Sequence, residues 1–379
     1  MSEMKKVVKN PLPSATIASD EVLSLKDLLR KVDVREMRSL FSGLKVPLPS
    51  DIDHYYTSGE SRQYMLAEIA LNRVLLPDFN RKRALNVGQL DNNLPVNPHK
   101  FDSWGIRIQT PPLQTVKMMK FYAAAAYCKV ERLVGWKCGE NCDSLTKGSH
   151  VDGYLSNEKE KTAGYVALNH EAKLITLSYR GSSNMNNWFD NAQMILEPFT
   201  LAPISDAEKY GPLEIHKGFQ SMTRSLLNQT IDTLSPLLEK YPNYHVAITG
   251  HSAGGAIAAL TTAALGGNGL VPFNRMILTT FGQPRVGSPA FTSYLNSKPL
   301  FCARVTNGVD PVNVLPTQEM GFHHQHSEFF LSRVNGTDYV NVCEQTTNAE
   351  DPDCARINAL EKRARGHYEY FGTMNTECT

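Results

Sequence analysis

Gly250-His251-Ser252-Ala253-Gly254-Gly255 sets one serine between an apolar run, His245-Val246-Ala247-Ile248-Thr249, and a helix-forming run from Ala256 to Leu265. A buried strand that turns into a helix at such a serine is a nucleophile elbow. Glycine is wanted two positions either side because side chains there would collide with the neighbouring strand and helix. The hydroxyl is then held at the carboxyl end of the strand, facing the positive end of a helix dipole. A plain glycine-rich strand-to-helix turn is the alternative.

A serine hydroxyl is a weak nucleophile until an imidazole takes its proton, and the imidazolium needs a carboxylate beside it. After such an elbow the chain order runs Ser, acid, His. Asp310, in Val305-Thr306-Asn307-Gly308-Val309-Asp310-Pro311, follows an apolar run at Phe301 to Val305 and so sits on a loop at a strand end. Asp338, Asp351 and Asp353, read in later polar loops, are the alternative candidates for the acid. Four histidines follow Asp310. His323, His324 and His326 cluster, read as a polar loop with a structural histidine or, less directly, as metal ligands; His367 stands alone in Gly366-His367-Tyr368-Glu369-Tyr370-Phe371. His367 is taken as the base. The tetrahedral oxyanion needs at least two N–H donors. One is Ala253, which follows the nucleophile; the other is expected from Tyr179-Arg180-Gly181-Ser182-Ser183, where Ser182 offers both N–H and hydroxyl unless the segment is a mere turn.

The elements that must position these groups alternate. Lys117 to Cys128 and Gly218 to Lys240 read as helices. Gly164 to Leu168, Leu174 to Tyr179, the elbow strand and Met276 to Phe281 read as strands. This order implies an α/β-hydrolase fold with a central, mostly parallel sheet from about residue 101 to 379. Residues 1–100 differ. They hold no cysteine, are broken by Pro11, Pro13, Pro47, Pro49, Pro77, Pro95 and Pro98, and offer short amphipathic helices near Glu21 to Lys31 and Ser61 to Leu76. Arg81-Lys82-Arg83 near their end is either a solvated charge run or a dibasic processing site, so cleavage falls near 81–84. The part up to Arg83 is net basic and the rest net acidic, which permits docking.

With 41% hydrophobic residues the chain of 379 supports a sizeable core, and a net charge of +1 gives no footing for nucleic acid. No run approaches the ~18 apolar residues of a transmembrane segment, and Met1 to Asp20 lacks a secretory h-region. Export would therefore mean that the signal peptide is absent from this chain. Seven cysteines do suggest export. Cys138 with Cys142 and Cys343 with Cys354 suit short bridges, Cys302 lies in an apolar strand as the free thiol, and elimination leaves Cys128 with Cys378. A structural zinc site competes, although no paired C-x-x-C occurs. Asn228-Gln229-Thr230 and Asn335-Gly336-Thr337 are glycosylation candidates.

Arg180-Gly181-Ser182-Ser183, the segment Asn184 to Asp190, His216-Lys217-Gly218-Phe219, the elbow, Gly282-Gln283-Pro284-Arg285-Val286-Gly287 and His367-Tyr368-Glu369-Tyr370-Phe371 occur in the order seen in fungal class 3 triacylglycerol lipases of the Rhizomucor and Rhizopus type, which the chain resembles from about Gly105 onward. The resemblance implies Ser252, Asp310 and His367 as triad, Ser182 and Ala253 as oxyanion hole, the same three disulfides, no cofactor or metal, secretion, and residues 1–100 as a pro-segment partnering the enzyme intramolecularly. Two departures stand out: Ala253 where that family usually has leucine, and Phe330 where tryptophan is common. Met185, Trp188, Phe189 and Ala192 recur at i, i+3, i+4 and i+7, the apolar face of a short helix. By itself that face reads as permanently packed. The resemblance makes it a mobile lid, whose burial is favourable by ~4 to 6 kcal/mol, so that water keeps it shut and a lipid surface opens it. The reading is a lipase cleaving carboxylic esters at lipid–water interfaces. A feruloyl esterase or phospholipase of this fold, or a catalytically silent lipid-binding relative, are the alternatives.

Overall fold

A computed structural model describes residues 85–86, 100–101, 107–108, 111, 113–182, 194–308, 310–325, 327–334, 337–343, 350, 354, 364–374, 376 and 378. The expected helices before residue 80, the Arg81-Lys82-Arg83 cluster, Met185, Trp188, Phe189 and Ala192, His326, Asn335, Asp351 and Asp353 lie outside the described residues.

In chain order the elements are β1 (Leu85–Asn86), β2 (Lys100–Phe101), β3 (Arg107–Ile108), α1 (Leu113–Ala125), α2 (Val130–Val134), α3 (Glu140–Asp143), β4 (Ser149–Asn157), β5 (Thr162–Asn169), β6 (Leu174–Tyr179), β7 (Leu196–Pro198), β8 (Glu214–His216), α4 (Lys217–Lys240), β9 (His245–His251), α5 (Ala253–Gly267), β10 (Met276–Phe281), α6 (Pro289–Asn296), β11 (Phe301–Asn307), β12 (Glu328–Val334) and β13 (Thr337–Cys343). Nine strands form one sheet in the order β1-β13-β12-β11-β10-β9-β6-β5-β4. The run β6-β9-β10-β11-β12 is parallel, while β4, β5, β13 and β1 pair antiparallel at the two flanks. This is the α/β-hydrolase arrangement expected. The helix expected over Lys117 to Cys128 begins earlier, at Leu113 directly after Pro111-Pro112, and ends at Ala125. Proline suits a helix entrance because its missing N–H would have had no acceptor there.

Alternation along the central strands divides the core in two. Val246, Ile248, Met276 and Leu278 face α4 and α5; Ala247, Ile277 and Phe281 face α1. Both faces are covered, which is why these strands read as unbroken apolar runs. His216 fixes where α4 starts. Its Nδ1 accepts from the N–H groups of Gly218 and Phe219 at 3.1 and 3.3 Å, and burial holds its pKa at about 4, so the ring stays neutral and can accept. The motif around His216 is thus a helix cap, outside the proton-transfer groups.

Cys128–Cys378, Cys138–Cys142 and Cys343–Cys354 are bonded, and Cys302 is a buried free thiol whose pKa burial raises to about 12. Six sulfurs are thereby withdrawn from any zinc site. No described helix is long and apolar enough to cross a membrane.

Candidate active site

The turn at Ser252 is as tight as its glycines require. Ser252 adopts φ 60°, ψ −132° between β9 and α5, a conformation costly for any residue with a Cβ. A Cβ at Gly250 would lie 2.3 Å from the Gly254 carbonyl carbon, and one at Gly254 would lie 2.1 Å from the Tyr179 carbonyl oxygen. Neither can be filled without moving backbone. The Ser252 N–H donates to the Phe281 carbonyl at 2.9 Å, which pins the serine to the carboxyl end of β10. Ala253 opens α5, where an N–H has no acceptor within its own helix. Gly181 packs on the same turn, since its Cβ would lie 3.0 Å from that of Ser252, and Ser182 follows it half-buried.

Asp310 leaves the end of β11 fully buried, and its Oδ2 accepts from Nδ1–H of His367 at 2.8 Å. Oδ1 accepts from the Val312 N–H at 2.8 Å, and Oδ2 accepts a second bond, from the Tyr370 hydroxyl. Burial by itself would raise the Asp310 pKa. The adjacent His367 and these hydrogen bonds outweigh it and leave the carboxyl below its ordinary value. With Nδ1 donating to Asp310, Nε2 of His367 is the basic nitrogen, and it is buried with no hydrogen-bond partner among the described residues. The distance between Asp310 and His367 along the chain is bridged by tertiary contacts. Asn307 donates to the carbonyls of Gly366 and Glu369 at 3.1 and 2.6 Å, Lys120 donates to that of Phe371 at 3.1 Å, and Arg132 donates to that of Cys378 beside its disulfide.

The other candidate groups do not converge here. His324 is buried, with Nε2 2.7 Å from the Asn313 carbonyl, beside the buried Arg285–Glu350 pair, and His323 joins Gly287 through its backbone. Arg285 grips both Glu350 oxygens at 2.7 Å and the carbonyls of Val314 and Pro316, bracing the loop that follows Asp310. Among the described residues the one grouping with metal-ligand spacing is Glu328, Cys343 and Cys354; its two sulfurs form a disulfide and its carboxylate binds Arg304 and Thr306. Asn228 is exposed on α4, whereas Thr230 of its sequon is buried.

Residues 176–320 match the family described as lipase (class 3). Over 339 residues the chain is 31% identical to a lipase of Rhizomucor miehei, across 88% of this chain and 82% of that one. The chain belongs to the class 3 lipases. A secreted mono- and diacylglycerol lipase of Fusarium solani is 30% identical over 299 residues, across 76% of this chain and 84% of its own. Among solved structures, the native Rhizomucor miehei lipase propeptide complex superposes with a TM-score of 0.62 at 28% identity, across 76% of this chain and 91% of that one. A triacylglycerol lipase whose catalytic centre is described as a serine protease triad matches with 0.62 at 29%, across 73% and 100%. This lipase is accordingly a serine carboxylic ester hydrolase.

Sequence reasoning assigned no role to Gly282, Tyr370, Asn307, Tyr127 or His251 of the lipase. Only Gly282 carried a readable signal, as a glycine directly after a strand. Its φ is +56°, and its Cβ would meet Tyr370 Oη at 2.8 Å, Asp310 Oδ2 at 2.9 Å and His367 Cε1 at 2.9 Å.

Proposed function

We propose that this lipase hydrolyses triacylglycerols at a lipid–water interface through Ser252, Asp310 and His367. The observation that carries the reading is the Asp310–His367 hydrogen bond at the same sheet edge as the strained Ser252 turn. Nε2 of His367 removes the Ser252 proton as Oγ attacks the ester carbonyl, and the oxyanion is received by the N–H groups of Ala253 and Ser182. The imidazolium, stabilised by Asp310, protonates the departing alkoxide of the diacylglycerol. Water then enters, His367 takes one of its protons, hydroxide attacks the acyl-enzyme, and the fatty acid leaves Ser252 reprotonated.

Ala253 presents a methyl where a larger side chain would narrow the acyl pocket, so chain-length preference is set partly here. In this reading Met185, Trp188 and Phe189 serve as the lid, and Ile195, which follows that segment in the chain, is 46% exposed. Three disulfides support secretion. Residues 1–100 act as an intramolecular pro-segment that restrains the lid or assists folding. Because Leu85 and Asn86 pair with Val340 and Tyr339, a cut near 81–84 leaves β1 on the mature sheet.

The test compares the wild-type chain with Ser252→Ala on tributyrin and long-chain emulsions, before and after clipping near 81–84. Loss of hydrolysis with unchanged folding is expected, and retained turnover overturns the assignment. Equal emulsion rates before and after clipping would remove the restraining role. Because one relative is named for mono- and diacylglycerols, the substrate panel includes those, a phospholipid and a feruloyl ester.

A further inference from the structure

Two side chains that transfer no proton in this scheme, the half-buried Tyr127 and the buried His251, join the oxyanion loop to the imidazole. His251 Nε2 lies 2.7 Å from the main-chain oxygen of His367. A carbonyl only accepts, so Nε2 carries the hydrogen. Burial, and then the neighbouring His367, hold the His251 pKa down at about 3, so the ring is neutral and Nδ1 is a bare acceptor. Nδ1 is 2.8 Å from Tyr127 Oη, which must therefore donate. The same phenolic oxygen receives the Gly181 backbone hydrogen bond, and a Cβ at Gly181 would come within 2.2 Å of it. The polarity of every link is thus determined: Gly181 N–H to Tyr127 Oη, Tyr127 O–H to His251 Nδ1, His251 Nε2–H to His367 O. The His251 and His367 rings also pack with centroids 4.3 Å apart.

One end of this chain is the residue before Ser182, and the other is the backbone of the proposed base. His251 itself immediately precedes Ser252. We propose that Tyr127 and His251 are positioning residues that hold the oxyanion loop and the His367 main chain in register with Ser252 before substrate binds. The inference rests on the triad reading. It adds that the two halves of the machinery are set by one shared hydrogen-bond chain, so that slackening it at either end costs turnover rather than binding.

Four substitutions separate the links. Tyr127→Phe keeps the ring and removes both hydrogen bonds of the hydroxyl, the one from Gly181 and the one to His251. His251→Gln offers a donor near the Nε2 position, His251→Asn an acceptor near the Nδ1 position, and His251→Leu neither. Kinetics on a soluble short-chain p-nitrophenyl ester, with thermal melts of each full-length chain, give the readout. Since a misplacement of about 1 Å can cost on the order of 100-fold, His251→Leu is expected to lose about 100-fold in kcat and Tyr127→Phe about 10-fold, with KM changed less than about twofold. His251→Gln should recover roughly 10-fold over His251→Leu. Values of kcat within about twofold of wild type in Tyr127→Phe and His251→Leu, or a loss fully matched by the unfolded fraction, would overturn the inference. Labelling of wild-type Ser252 by a fluorophosphonate separates the two levels. Failure to label sinks the triad reading itself, whereas labelling with unimpaired variants sinks only the positioning role.

Discussion

Gly282 lies against the ring of His367, close enough that a Cβ would stand 2.9 Å from Cε1. The same Cβ would meet the Asp310 carboxylate and the Tyr370 hydroxyl, so the glycine following β10 is the floor on which Asp310 and His367 are seated. Gly282→Ala is expected to displace the imidazole and lower kcat by on the order of 100-fold. Gly148→Ala is the control, because its φ is +82° with nothing within 4 Å and it adds only backbone strain of about 1 kcal/mol. Equal activity losses in the two variants would refute the seating argument.

Asp310→Asn keeps the shape of the side chain but removes the charge that stabilises the imidazolium, and lets His367 settle in the wrong tautomer. A fall in kcat of roughly 10³ to 10⁴-fold is expected, with melting little changed. Tyr370→Phe removes one donor from the carboxylate and leaves the pair itself, so its effect on kcat is smaller, about 10-fold. Steady-state kinetics with matched circular dichroism checks both.

The disulfide joining Cys128 to Cys378 spans 250 residues and ties down the tail that carries His367. In the chain-entropy picture its loss destabilises by roughly 5 kcal/mol, against about 2 for Cys138–Cys142, whose cysteines are four residues apart. The Cys128→Ala/Cys378→Ala chain is therefore expected to lose activity at temperatures where the Cys138→Ala/Cys142→Ala chain still works. Melting curves paired with activity at each temperature test this order.

Acid stability follows from three buried histidines. The pKa values of His216 and His251 are depressed to about 4 and about 3 from 6.5, and that of His324 lies well below 6.5, in each case chiefly through burial. A depressed folded-state pKa means that the unfolded chain binds protons first as pH falls below 6.5. Their contribution is therefore present above about pH 6.5 and is lost on acidification towards pH 4, at about 1.4 kcal/mol per pH unit for each site. Glu350, drawn far below its ordinary value by Arg285 despite burial, adds a loss at lower pH. Thermal midpoints are expected to decline from about pH 6 downward. A flat profile between pH 7 and 5 would contradict it.

The elbow was readable because its information is local: a strand period, a helix period, and glycines at the two positions where backbone crowds backbone. Chain order and the scarcity of later histidines singled out Asp310 and His367, which the fold joins by a hydrogen bond, and three strands, β6, β9 and β10, lie where their apolar runs placed them. Tyr127, His251 and Gly282 escaped for the opposite reason. Each acts on atoms more than 80 residues away in the chain, and no periodicity in the sequence encodes such a meeting.

The amino-acid sequence by itself determined the strand–serine–helix turn and the order of acid and base, since these depend on steric limits within a few residues. Only the tertiary structure decided which nitrogen of His367 is basic, that Asp310 stays ionised while fully buried, and that Tyr127 and His251 lie between Gly181 and His367. Hydrogen-bond polarity and burial are properties of the packed interior, and they exist only once β9, β10, β11 and the disulfide-held tail share one edge of the sheet.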